Sequence, residues 1–418
     1  MPASDEATSP APPRPVRRRH VLYVSGFDPQ GPAHYHSLYV EQAAAQARVN
    51  GVRMDVSARQ RCGSNAAWDV HWLSPDGAAA VETRYEFLRW DDIVRQHWPR
   101  GQGRLLALTL ATTARLLANG SMWRILQTSW PAFVALAAPA AVIIAVTVGL
   151  SGIGGLAGWV WRASHPGLAV GGAAAMLMLL WTLARRAQAK VQMAWLMRSA
   201  SVILQQARGQ LPALEQRLND FASRLIELAS LPDVDEVLVV GHSSGAMLAV
   251  SVMARALTRE PRLVDQGARV ALLTLGHCIP VLSYQPEAMR FRGELARLRQ
   301  EQQLTWIDFT APPDGCCFAL MDPTEVCLDG QRRSGALPPG GPKRLSPRFA
   351  QSFSPARYRS IRRDKYRCHF QYLMATELPA AYDYFSVTAG PIRLADRFAD
   401  QKSVSGFQDF QCFGGPGR

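Results

Sequence analysis

The sequence predicts an α/β fold, a mostly parallel sheet flanked by helices and interrupted by a two-helix transmembrane hairpin. Apolar, β-branched segments alternate with amphipathic ones on both sides of the chain's middle, which favours a sheet covered on both faces. Two charge-free runs separate these halves. In the second half, a strand-like segment leads through Gly241-His242-Ser243-Ser244-Gly245 directly into a helix-like one.

Composition restricts the classes of function. The chain has 418 residues and a net charge of +13, which could suit nucleic acid or anionic lipid. No zinc-finger spacing, RNP-like motif or helix-turn-helix pattern is present, so we expect no nucleic-acid partner. The seven cysteines are odd in number and scattered, which favours a reducing compartment. Nothing indicates an oligomeric state.

The first part of the chain divides into a tail and the start of the α/β domain. Residues 1–19 are Pro-rich, end in three arginines and lack the apolar segment of a secretory signal, so we expect a disordered basic tail. Residues 20–110 form the first part of the domain. A helix is predicted at 37–51, and strands are predicted at 20–27, 52–59, 66–74 and 81–90.

Residues 111–200 are predicted to form the membrane hairpin with its flanking helices. The spans are placed at about 131–150 and 167–184, each long enough for a hydrocarbon core of about 30 Å. Basic residues cluster on the outer flanks, whereas the connector has only Arg162. By the positive-inside rule, both termini and the catalytic domain are then cytoplasmic. We therefore expect an integral membrane protein of a bacterial-type inner or plasma membrane.

Residues 201–418 are predicted to complete the α/β domain. A long amphipathic helix is expected at 202–231, further helices at 244–257 and 286–302, and strands at 235–243, 269–276 and 304–310. Residues 332–367 are rich in Pro and Gly and contain eleven Lys or Arg against one acid, Asp364. They are interpreted as a solvated loop or as a surface touching anionic lipid headgroups.

The Gly-x-Ser-x-Gly segment is a weak motif alone but has a mechanism in this setting. A serine on a sharp turn between a strand and a helix presents its hydroxyl at the edge of the sheet. The helix that follows points its positive end at developing negative charge. The chain here resembles the α/β-hydrolase superfamily, particularly its lipases and esterases, and most of the remaining elements follow in compatible order. Ser243, at the centre of the motif, is the predicted nucleophile.

The resemblance implies an acid and then a histidine later in the chain. His277 precedes any plausible acid, so His369 is the predicted base. Asp314, in the loop after the strand at 304–310, is the preferred acid, with Asp308 and Asp322 as alternatives. The family's oxyanion hole implies the backbone N–H of Ser244 as one donor. The N–H of Phe27 is expected as the second, although Ser25-Gly26 replaces the family's common His-Gly pair.

The predicted function is a membrane-anchored serine hydrolase. It would cleave a carboxylic ester, such as a lipid or another lipophilic ester, through an acyl-enzyme. An acyltransferase or thioesterase could use the same triad of Ser243, Asp314 and His369. A catalytically inactive membrane scaffold would retain only the fold. No cofactor and no metal are implied.

Overall fold

A nine-stranded mixed sheet organises the part of the chain that the computed structural model describes, residues 15–161, 193–265, 269–325 and 340–404 with a few positions between 171 and 182. The strand order is β2-β4-β5-β1-β6-β7-β8-β9, and β3 pairs with β4. Strands β5, β1, β6, β7, β8 and β9 run parallel to one another, whereas β4 pairs antiparallel with β2, β3 and β5. The strands are β1 Arg18–Val24, β2 Arg53–Val56, β3 Gln60–Cys62, β4 Asn65–Leu73, β5 Ala80–Phe87, β6 Glu236–His242, β7 Arg269–Leu275, β8 Thr305–Phe309 and β9 Lys343–Leu345.

Helices connect the strands and cover the sheet. Before β6, the strand that leads to Ser243, they are α1 Pro32–Asn50, α2 Asp91–Gln96, α3 Gln102–Ala118, α4 Ser121–Thr128, α5 Trp130–Trp161, α6 Met193–Ala207 and α7 Pro212–Ala229. After it they are α8 Gly245–Arg259, α9 Ile279–Ser283, α10 Met289–Gln300, α11 Phe349–Ser352, α12 Pro355–Arg363, α13 Lys365–Phe370, α14 Tyr384–Ala389 and α15 Leu394–Arg397, with a 3₁₀ turn at Gln371–Leu373. The prediction of an α/β fold with a mostly parallel sheet is confirmed.

The sheet has a hydrophobic core on each face. Successive residues of a strand point to opposite faces, so Val239 of β6 joins one core and Leu238 and Val240 join the other. Side chains of α2 to α10 complete the first core, and side chains of α1 and of the elements after β9 complete the second. Because both faces are covered, the central strands are apolar throughout rather than alternating with polar residues.

The predicted transmembrane hairpin is not found. Among the described residues, no helix is both long enough and apolar enough to cross a bilayer. Residues 131–150, the predicted first span, lie in α5, and its early turns bury Ala132, Leu136 and Ala140 within the protein. These three apolar residues pack against the protein, whereas Val134, Ile144 and Val148 of the same helix are exposed. The predicted second span, 167–184, falls almost wholly outside the described residues.

Other predicted elements differ in their boundaries. The helix predicted at 202–231 is two helices, α6 and α7, because Gly209 adopts a positive φ of 67° and Pro212 then begins α7. The stretch predicted as an irregular basic loop, 332–367, contains β9 and α11 to α13 in its described part, from residue 340 onward. Residues 1–14 lie outside the described chain, but the end of the predicted tail is ordered, since β1 begins at Arg18.

Both halves of the α/β domain build one sheet, and a buried ion pair joins them. Arg19 of β1 and Glu236 of β6 are fully buried, with 2.6 Å between Nε and Oε2. The same guanidinium donates to the carbonyls of Gly390 and Ile392, and Glu236 Oε1 accepts from the N–H of Leu394. The pair therefore also fixes the C-terminal segment against the start of the two central strands.

Breaking this pair should destabilise the fold strongly. Glu236→Gln leaves the Arg19 charge buried without its counterion, and we expect the free energy of unfolding to fall by about 3–5 kcal/mol. Urea unfolding followed by circular dichroism measures the loss. Asp55→Asn is the matched control, because the Arg53–Asp55 pair is exposed and should contribute less than about 1 kcal/mol. Equal losses in the two variants would contradict this role.

Candidate active site

The turn between β6 and α8 holds Ser243 in a conformation that few side chains adopt. Its φ is +59°, one of three positive values at non-glycine residues in the described chain. The N–H of Ser243 donates to the carbonyl of Leu275 at 2.9 Å, so the end of the neighbouring strand β7 fixes this backbone. Strained backbone of this kind concentrates at functional sites and is the geometry expected of a nucleophile on a strand-to-helix turn.

The glycines on either side make this turn possible. A Cβ at Gly241 would lie 2.6 Å from the Cα of Ala246, because α8 begins directly above the strand. A Cβ at Gly245 would lie 2.2 Å from the carbonyl oxygen of Val24, at the end of β1. Both positions need glycine because neighbouring backbone occupies the space of a side chain.

The turn after β1 closes over the same serine. A Cβ at Gly26 would lie 3.0 Å from the Cβ and 3.4 Å from the Oγ of Ser243, so this turn lies against the predicted nucleophile. The N–H of Phe27, the expected second oxyanion donor, donates to the Oγ of Ser244 at 2.7 Å. The Phe27 N–H can therefore donate to an oxyanion only after its hydrogen bond to Ser244 is broken. The expected first donor, the N–H of Ser244, stands at the N-cap of α8.

His369 and Asp314 meet in the structure. His369 lies in α13 and Asp314 in the loop after β8, and 2.8 Å separates Nδ1 from Oδ2 with both side chains buried. Because the carboxylate accepts, Nδ1 carries the proton and Nε2 keeps its lone pair in the neutral imidazole. Nε2 is buried and has no hydrogen-bond partner among the described residues. A general base needs such a nitrogen.

The carboxylate of Asp314 is held by three donors. Besides His369, Tyr372 Oη donates to Oδ2 at 3.2 Å and the N–H of Cys316 donates to Oδ1 at 2.9 Å. Burial would raise the pKa of Asp314, but the charge and hydrogen bond of His369, together with the Cys316 N–H, hold it below its ordinary value. Asp314 is therefore an anion that can orient the imidazole and stabilise its protonated form.

The alternative acids are engaged elsewhere. Asp308, inside β8, accepts from Thr274 at 2.6 Å and lies 3.5 Å from His277, and burial raises its pKa. Asp322 pairs with Arg299 at 3.0 Å. Of the three candidates, only Asp314 contacts His369.

Ser243 and His369 are neighbours without a hydrogen bond between them, since Nε2 has no partner among the described residues. Their proximity follows from His242, which precedes Ser243. The His242 ring lies 4.9 Å from that of His369, and its Nε2 donates to the His369 carbonyl at 2.9 Å. Catalytic hydrogen bonds are often long in free enzymes and tighten when substrate binds.

His242 is a functional residue that sequence reasoning missed. Burial, reinforced by repulsion from His369, lowers the pKa of His242 to about 3. It is therefore neutral at physiological pH, and its Nε2–H can hold the backbone of α13 in place. The only hint in the sequence was its position inside the motif, directly before the serine.

A narrow apolar crevice reaches Ser243. Its enclosed volume is about 30 Å³, room for about one water molecule. Helices α5 and α6 provide most of its walls, and Cys278, Cys316 and Phe318 complete it. A larger cavity of about 750 Å³ lies away from the triad, between α2, α3 and α6. We place the candidate site at the crevice because it contains the serine.

Helix α6 also reaches the site through Trp195, a second residue that sequence reasoning missed. Its ring lies 5.8 Å from that of His369, and its Nε1 donates to the carbonyl of Phe27. Cys278, next to Ser243, was likewise missed, and burial raises the pKa of its thiol to about 12 against the opposing effect of the Ser243 hydroxyl. No local pattern marks these residues, because chain folding alone brings them to the serine.

No protein-family model matches the chain, and comparisons with curated proteins and with solved structures find no match.

The close approach at Gly245 should make this position intolerant of any side chain. We expect Gly245→Ala to lower the free energy of unfolding by about 3 kcal/mol, because its Cβ overlaps the backbone of Val24. Urea denaturation measures the change. Gly293→Ala is the control, since that helical glycine in α10 has open space around it and alanine should add up to about 1 kcal/mol. A Gly245→Ala protein as stable as wild type would refute the tight turn.

Proposed function

We propose that this protein is a serine hydrolase of the α/β-hydrolase type, cleaving carboxylic esters with an apolar acyl group. The observation that supports this most is the buried Asp314–His369 pair, whose Nε2 has no partner among the described residues. The His369 ring lies 4.9 Å from that of His242, the residue directly before a serine on a positive-φ turn. A carboxylate, an imidazole and a serine so arranged form a charge-stabilised base next to a nucleophile. No second function is favoured by an observation of its own.

In the proposed reaction, Ser243 Oγ attacks the ester carbonyl carbon while His369 Nε2 takes the hydroxyl proton. The carbonyl oxygen becomes an oxyanion, stabilised by the N–H of Ser244 and the positive end of α8. The intermediate collapses, the C–O bond to the leaving alkoxide breaks, and the imidazolium gives its proton to that oxygen, which departs as the alcohol. Water then attacks the acyl-enzyme by the same steps and releases the acid.

Two small movements precede this chemistry. Ser243 Oγ must come within hydrogen-bond distance of His369 Nε2, which has no partner among the described residues. Phe27 N–H must leave the Oγ of Ser244 to become the second oxyanion donor. The Ser244 hydroxyl thus accepts, before substrate binds, the Phe27 N–H that the oxyanion would later use. Movement of the backbone at the turn after β1 would transfer this N–H from the hydroxyl to the oxyanion.

The crevice supports an apolar acyl group. Its walls include Ala132 and Leu136 of α5, Ile203 of α6, Val281 of α9 and Phe318. A single-water volume is too small for a long chain, so α5 and α6 would have to separate as substrate enters. Because no charged side chain lines this crevice, anionic or cationic acyl groups would lose hydration without gaining a partner.

A fluorophosphonate probe, which phosphonylates activated serines, tests the proposal. Wild-type protein should be labelled, and Ser243→Ala should not. His369→Ala and Asp314→Asn should label more slowly by about a thousandfold or more. The first variant removes the base, and the second removes the carboxylate that orients it. The readout is the rate of probe incorporation, with circular dichroism to confirm folding.

Ser244→Ala is the matched control for this experiment. It keeps the backbone N–H of residue 244 and frees Phe27 N–H, at a cost in stability of about 1 kcal/mol for the lost hydrogen bond. It should label at least as fast as wild type. Wild-type protein that is folded but unlabelled would refute the proposal and leave a non-catalytic scaffold as the better account.

A further inference from the structure

Three side chains at the edge of the proposed triad together resemble a metal site. Asp314, Cys316 and His369 each offer a ligand atom, and these atoms all lie within 4.8 Å of one another. Carboxylate oxygen, thiolate sulfur and imidazole nitrogen are the ligand types that zinc takes in proteins. Hard cations such as Mg²⁺ prefer oxygen ligands alone, so the thiol and imidazole select a softer ion.

A second observation points to a ligand at this place. Nε2 of His369 is buried and has no partner among the described residues, which is costly for a polar atom. Cys316 is half-buried and lines the same crevice as Ser243, so the group of three opens toward a space that holds about one water. Three protein ligands and one water is a common zinc coordination with an open position.

The charges and distances also suit a divalent ion. One carboxylate and one thiolate balance the two charges of the ion, so no uncompensated charge is buried. In a tetrahedral zinc site, ligand atoms are about 3.3–3.6 Å apart, from metal–ligand distances of about 2.0–2.3 Å. Asp314 Oδ2 and His369 Nδ1 are already 2.8 Å apart, and the Cys316 ligand atom lies within 4.8 Å of the others. Binding the ion therefore needs a small adjustment of these separations, to which rotation of the half-buried Cys316 side chain can contribute.

We propose that Zn²⁺ binds Asp314, Cys316 and His369 and reversibly switches the hydrolase off. The regulatory part rests on the proposed function. The Cys316 thiol loses its proton to solvent when its sulfur binds the ion. If the ion takes Nε2, the imidazole can no longer accept the Ser243 proton. If it takes Nδ1, the hydrogen bond to Asp314 is broken and the ring loses its orientation. Either coordination removes the base.

Cobalt is the direct probe of the site, because its spectrum does not depend on enzyme activity. Co²⁺ added to metal-free protein should give a thiolate-to-cobalt charge-transfer band in wild type. Cys278→Ser is the matched control, since this cysteine lines the same crevice but is not one of the three ligands. It should keep the band, and Cys316→Ser and Cys316→Ala should lose it.

The regulatory effect is measured by fluorophosphonate labelling with Zn²⁺ or with EDTA. Zinc should slow labelling by about a hundredfold or more in wild type and in Cys278→Ser, because general-base catalysis is lost. EDTA should restore it. In Cys316→Ser and Cys316→Ala, the ratio of the two rates should be close to one.

The two proposals fail in distinguishable ways. Absence of labelling in metal-free wild type refutes the hydrolase, whereas the cobalt spectrum still reports on the metal site. Absence of the cobalt band in wild type, or its persistence in both Cys316 variants, overturns the inference of a metal site. A normal cobalt band with labelling that zinc leaves unchanged overturns the regulatory role.

Discussion

The close packing of two turns on the first residues of α8 is the constraint on which the rest of the site depends. Gly245 lies so near the end of β1 that a Cβ would come within 2.2 Å of a carbonyl oxygen. This contact holds the β1 turn against the β6 turn and keeps Ser243 at positive φ. The parallel pairing of β1 with β6 brings both strand ends to one edge of the sheet. The position of the serine thus follows from backbone packing.

The other parts of the site are reached from that edge. Asp314 comes from the loop after β8 and His369 from α13, and the two side chains are hydrogen-bonded. His242, the last residue of β6, donates to the His369 carbonyl and so fixes α13 next to the turn that holds Ser243. Helix α6 adds Trp195 over the imidazole. His369 Nε2 has no hydrogen-bond partner in the part of the chain that the structure describes, so this nitrogen can accept a proton or bind a metal ion. The proposed catalysis and the proposed inhibition therefore compete for one atom.

Much of this arrangement could be predicted from the sequence because it depends on local patterns. Apolar runs predicted the strands, and the glycine-flanked motif predicted Ser243. The order of acid and histidine that the family resemblance implied led to Asp314 and His369, which the structure brings together. Hydropathy could not predict that Ala132, Leu136 and Ala140 in the early turns of α5 pack against the protein, since lipid and protein core both favour apolar side chains. The contacts of Trp195 and the bond from Phe27 to Ser244 join residues far apart in the chain, so no local pattern records them.

The proposed nucleophile is Ser243 rather than its neighbour Ser244. Mass spectrometry of peptides from the folded wild-type protein, after reaction with a fluorophosphonate, distinguishes the two. We expect one phosphonyl adduct, on Ser243. An adduct on Ser244 or outside the turn between β6 and α8, or no adduct in protein shown to be folded, would refute this assignment.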